Sequence, residues 1–152
     1  MKKRAQFYIL AAVILIAITF GLFTAKKTIP SPDRSFDLLV GNYVKEAPFA
    51  ANSGNLNEFT AKFYDFALKT DPNFEMMYLY VSQGNISAFS LMKPTIFINQ
   101  YNLSFNQSMV FERTDGVSVS IGTDEYAVNT TNAGLKTIFI SQKPDSRNVR
   151  LE

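Results

Sequence analysis

Residues 76–82, MMYLYVS, divide the chain. Upstream of them apolar side chains recur every three to four residues, the period of a helix. From Glu75 onward they recur at every second residue, the period of a strand. The run is also rich in residues that fit a pleated surface. Helices followed by strands joined through tight turns specify an α+β domain with an antiparallel sheet.

Immediately upstream, Phe36, Leu39, Val40, Tyr43 and Val44 fall on one helical face. Pro48 and the small, turn-prone AANSG that follows are expected to end this helix. Asn55 then opens a second helix, with Glu58 three residues on as a capping-box partner. Leu56, Phe59, Phe63 and Phe66 make its apolar stripe, and Asp71-Pro72 stops it. Both stripes are expected to lie on a sheet as core faces.

Downstream, Gln83-Gly84-Asn85 is a turn between MMYLYVS and ISAFSLM, and Lys93-Pro94 precedes TIFI. YNLSFN alternates, with Tyr101, Leu103 and Phe105 on one face and Asn102, Ser104 and Asn106 on the other. MVFER and VSVSI flank Thr114-Asp115-Gly116, which reads as a hairpin turn. EYAVNT and KTIFIS are joined through Asn132-Ala133-Gly134, and the polar tail KPDSRNVRLE is expected to fray. The sheet is thus expected to hold six or seven strands.

Composition narrows the function. The chain of 152 residues has no cysteine, no histidine and no tryptophan. The absent thiol and imidazole remove the usual nucleophile, general base and transition-metal ligands, so neither catalysis, a metal nor a cofactor is expected. Asp124-Glu125 is the one adjacent acidic pair, placed in an apparent turn, and the glycines form no phosphate-binding loop. From Thr28 onward ten basic residues meet thirteen acidic ones, a net charge of −3 that speaks against nucleic-acid binding.

The amino-terminal region has a different character. Lys2, Lys3 and Arg4 precede an uncharged run from Ala5 to Ala25, and Lys26-Lys27 follows. A helix over residues 7–25 would span roughly 28 Å, close to the hydrocarbon thickness of a bilayer. The expected order is a basic leader (1–5), a hydrophobic transmembrane or filament-core helix (6–27), a proline-containing linker (28–35) and an extracytoplasmic α+β domain (36–152). Ala17 and Gly21 give that helix a small-xxx-small face for close packing. The heavier basic flank favours a cytoplasmic amino terminus. Sequons at Asn85, Asn102, Asn106 and Asn129 are candidate glycosylation sites and agree with an exported domain.

The stretch KKRAQFYILAAVILIAITFGLF resembles the amino terminus of archaeal type IV pilin-like proteins: a short basic leader, a small residue before Gln, then directly a long apolar run. The resemblance covers about the first 27 residues. It implies cleavage by a prepilin peptidase between Ala5 and Gln6, and assembly of the apolar segment with copies of itself. Bacterial members carry Glu at the fifth mature position, where this chain has Leu10. The implied function is a filament subunit with a structural or adhesive role, residing in the cell membrane or an extracellular filament. The alternative is a single-pass, membrane-anchored surface protein whose ectodomain binds a partner without polymerising.

Overall fold

The computed structural model describes residues 34–144 and 146–152. Two helices, α1 (Arg34–Asn52) and α2 (Leu56–Thr70), come first. Nine strands follow: β1 (Phe74–Val81), β2 (Asn85–Leu91), β3 (Ile96–Ile98), β4 (Tyr101–Leu103), β5 (Gln107–Glu112), β6 (Gly116–Ile121), β7 (Asp124–Asn129), β8 (Gly134–Lys143) and β9 (Ser146–Leu151). The leader, the processing pair Ala5 and Gln6, the hydrophobic segment with Ala17 and Gly21, and the linker up to residue 33 lie outside the described residues. Among the described residues no helix is long and apolar enough to cross a membrane.

The expectation of a helix-led α+β fold with one sheet of six or seven strands is wrong. The described chain is mostly β, with two antiparallel sheets of order β5-β2-β1-β8-β9 and β4-β3-β6-β7. The sheets face each other across one apolar core and the helices cover the far side of the larger sheet across another. Alternation along β1 builds both cores. Met77, Leu79 and Val81 point between the sheets, against residues such as Ile96, Ile98, Val119 and Ile121. Phe74, Met76 and Tyr78 point the other way, against Phe36, Tyr43, Tyr64 and Ala67 of the helices. Burying each large apolar side chain is worth about 1.5–3 kcal/mol.

Tyr43 anchors the helical layer at 0% exposure. Its ring lies 5.1 Å from Phe63, 5.5 Å from Phe139 and 5.6 Å from Phe59, centroid to centroid. Its hydroxyl bonds the buried Thr60 Oγ1 at 2.8 Å, which satisfies both polar groups. Val44, expected in the same face, is partly exposed, and Ala47 takes the buried place. The buried face of α2 is Leu56, Thr60, Tyr64 and Ala67, with Phe59 and Phe63 half-buried beside it and Phe66 54% exposed. The buried face is thus rotated from the expected stripe, because position around the helix, not aromatic size, decides which side chain meets the sheet.

Helix ends also depart from expectation. α1 runs through Pro48 to Asn52. It stops where Gly54, at φ 76°, reverses the chain: Gly54 N–H donates to the Ala51 carbonyl and Asn55 N–H to the Ala50 carbonyl, the paired bonds of a glycine-ended helix. The capping box does not form. The Asn55 side chain makes no cap bond, and Glu58 pairs instead with Lys62 one turn on, at 2.6 Å. Asp71 does stop α2. Its carboxylate accepts Asn73 N–H at 3.1 Å and the Ser141 hydroxyl, which fastens the helix end to β8.

The Thr114–Gly116 link is not a hairpin turn. β5 pairs with β2, whereas β6 pairs with β3 and β7, so the link carries the chain from one sheet to the other. Residues 130–133 do the same between β7 and β8. The polar tail does not fray but forms edge strand β9, in register with β8 from Lys143↔Ser146 to Ile138↔Leu151. Arg147 of β9 pairs with Asp124 of β7, joining the two sheets along that side.

Candidate functional site: exposed sequons, a guanidinium clamp and three grooves

The four sequon asparagines are all exposed, but their settings differ. Asn85 opens β2 and is paired opposite Glu112. Asn102 lies in β4 opposite the exposed Phe97. Asn106 does not share a strand face with Asn102, because β4 ends at Leu103; it sits in the following turn at φ 57° and donates its N–H to the Ser90 carbonyl at 2.7 Å. Asn129 ends β7, and its side chain is engaged by its own sequon. Asn129 Oδ1 accepts the Thr131 N–H at 2.9 Å and the Thr131 hydroxyl at 2.6 Å. Thr130 between them is fully buried, its N–H on the Asp115 carbonyl and its hydroxyl on the Thr114 carbonyl.

Arg113 holds this corner together. Its Nε donates to the Thr130 carbonyl at 3.1 Å, Nη1 to the Ser82 carbonyl at 3.1 Å, and Nη2 to the Thr131 carbonyl. Its backbone N–H donates to the Gly84 carbonyl at 3.0 Å. One side chain thereby ties the β1–β2 turn and the segment after β7 to the crossing between the sheets. Sequence reasoning missed this residue, since an arginine bonded only to backbone carbonyls leaves no carboxylate partner or motif to find.

Three grooves line the helical layer. One of about 430 Å³ runs from Asn57 and Glu58 at the start of α2 to Val110 of β5. A second, of about 360 Å³, lies between Val44, Pro48 and Leu135. The two meet at Tyr80 and Ala51, where the end of α1 overhangs the sheet. The third, of about 590 Å³, separates α2 from the β4–β5 turn and holds Tyr64, Phe105, Asp65 and Lys93. These walls offer tyrosine rings, amides, hydroxyls, the carboxylates of Glu58, Asp65 and Glu152, and the Lys93 ammonium. Burial pushes the Tyr78 phenol up to about 12, and its hydroxyl donates to Asn57 Oδ1; Tyr43 is raised further still by the same cause. Both stay neutral at physiological pH.

The Asp124-Glu125 pair does not act as a unit. Neighbouring strand residues face opposite sides, and here Asp124 binds Arg147 while Glu125 accepts the Ser118 hydroxyl. Among the described residues no group of three or more acidic side chains is placed to hold a metal ion. Near the far end of β1, half-buried Glu75 titrates above the usual carboxylate range because burial disfavours its charge, against the opposing pull of Lys93 and Arg147.

No protein-family model, curated protein or solved structure matches the chain.

Proposed function

We propose that the chain is a type IV pilin-like surface subunit, exported with its β-rich domain outside the cell and incorporated through its amino-terminal segment into a filament of structural or adhesive role. The observation that carries this reading is Lys3-Arg4-Ala5-Gln6 running directly into the apolar residues 7–25. The exposure of all four sequon asparagines supports an exported domain.

The physical logic is one of extraction. With the leader in place, Lys2, Lys3 and Arg4 hold one end at the cytoplasmic face. Moving even one such charge to the bilayer centre costs about 2.5–3.5 kcal/mol on insertion scales. A prepilin peptidase cutting between Ala5 and Gln6 removes all three. The freed apolar segment can then leave the lipid and be buried against copies of itself, a repeating head-to-tail contact that builds a filament.

The test is the mass of the native amino terminus, together with the fraction of protein sheared from cells. A chain starting at Gln6 that shears off as polymer, and a bulky Ala5 variant that does neither, are the expected results. A mature chain that keeps residues 1–5 refutes the filament reading and leaves the anchored, non-polymerising surface protein in its place.

A further inference from the structure

We infer that Asn129 is the sequon asparagine that carries a glycan, and that Arg113 positions it for modification; this rests on the exported reading above. The acceptor motif requires a hydroxyl two residues after the asparagine. The geometry to look for is therefore one that brings that hydroxyl onto the carboxamide. In an extended strand, residues two apart are separated by roughly 6.6 Å of rise. Asn85 and Ser87 both lie within β2, whose neighbours β1 and β5 fix it as extended. Asn102 lies in β4, and Ser104 beyond it gives its N–H to Gln107 Oε1. Asn106 is held at its turn through its backbone. At Asn129 alone among the four does the third residue's hydroxyl reach the asparagine, at 2.6 Å.

This loop does not depend on the sequon alone. Thr130 is buried and bonded, and Arg113 grips the carbonyls of Thr130 and Thr131. The backbone turn that folds Thr131 back over Asn129 is thus ordered before any enzyme meets it, while Asn129 itself points to solvent. A preordered acceptor removes part of the entropy cost of binding.

The chemistry follows from the contact. A carboxamide nitrogen is a weak nucleophile because its electron pair is delocalised onto oxygen. Two donors on Oδ1 stabilise negative charge there and lower the cost of removing a proton from Nδ2. Nδ2 then attacks the anomeric carbon of a lipid-linked sugar phosphate. The N–C bond forms, the carbon–oxygen bond to phosphate breaks, the phosphate leaves with that bond's electron pair, and the proton passes to a base of the transferase. No oxidation change occurs.

The experiment is site mapping by mass spectrometry on the chain from its native cells, alongside its amino-terminal mass. Asn129 is expected to be the most fully occupied sequon. Thr131→Ser should keep the glycan and Thr131→Val should lose it. Arg113→Lys should lower occupancy at Asn129 while leaving Asn85, Asn102 and Asn106 unchanged, with folding checked by circular dichroism. Asn129 bare in a chain that carries glycans elsewhere, or bare in an unmodified chain starting at Gln6, overturns the inference and leaves the filament reading standing. A glycan on Asn129 in a chain that still starts at Met1 supports the inference while refuting the filament. An unmodified chain that keeps Met1 overturns both.

Discussion

Replacing Arg113 by Met tests how much of the domain's cohesion passes through one side chain. Met keeps the aliphatic stem and removes the guanidinium. Three hydrogen bonds disappear, to the carbonyls of Ser82, Thr130 and Thr131. The Thr131 bond is solvent-exposed, and water replaces it at small cost. The other two are partly buried, so water still competes and each is worth about 1–1.5 kcal/mol, the upper part of the ordinary net range and below that of a fully buried charged bond. The expected loss is therefore about 2–3 kcal/mol, or about 10 °C in Tm for a domain of this size. Arg113→Lys keeps the charge but has one flexible donor group in place of a fork, and should lose about half as much. Urea unfolding of the purified chain at constant m-value measures both, and hydrogen exchange should show the amide of Thr130 losing protection first. A Met variant within about 0.5 kcal/mol of the parent, the range of ordinary surface substitutions, would refute the clamp.

Tyr43→Phe strands the buried Thr60 hydroxyl and should cost about 1–2 kcal/mol, most of it recovered in the double variant Tyr43→Phe/Thr60→Val; calorimetric melting decides. Glu75→Gln should stabilise the fold at neutral pH. The folded-state carboxyl sits above its unfolded value through burial, so the wild type is favoured below the unfolded value and penalised as pH rises through the folded one. The variant's advantage should therefore vanish in acid, as read from urea midpoints against pH. Titration calorimetry of the purified chain with zinc should give no submicromolar site, because the chain has neither imidazole nor thiolate to bind it.

The candidate site was half visible in the sequence. Asn-x-Ser/Thr is a string match, so all four candidate asparagines are legible at once, and nothing in the string ranks them. The ranking comes from Thr131 folding back onto Asn129, and that turn is made by Thr114, Asp115 and Arg113, residues distant along the chain. Asp115-Gly116 misled for the same reason. As a local signal it favours a hairpin, yet β5 finds a better partner in β2, so the pair serves a crossing between sheets. The Tyr80 grooves could not be foreseen, since they exist only where the end of α1 overhangs a sheet whose outer face it does not fully cover.

The number of layers, by contrast, was written into the strands in a form that a search for period two overlooks. A strand with one face in water alternates, and β6 does so: Val117, Val119 and Ile121 are buried, while Ser118 and Ser120 are half-exposed. That pattern requires an outer sheet. β1 does not alternate in polarity. Met76, Met77, Tyr78 and Leu79 are consecutive and all buried. A strand apolar on both faces must be covered on both faces. The two amphipathic helices supply one cover, which leaves the other face of β1 to be covered by something else in the chain. Among the described residues, that cover comes from the single apolar face of strands such as β6. MMYLYV beside VSVSI therefore demands two sheets, one inside and one outside. One sheet cannot hold both, because a double-faced strand needs cover on two sides and a single-faced strand on one. Ser146–Leu151 has too little apolar surface to read as a strand, yet β8 has a free edge that it pairs. Backbone hydrogen bonds supply that pairing, with the ion pairs Arg147–Asp124 and Arg150–Asp37 adding to it.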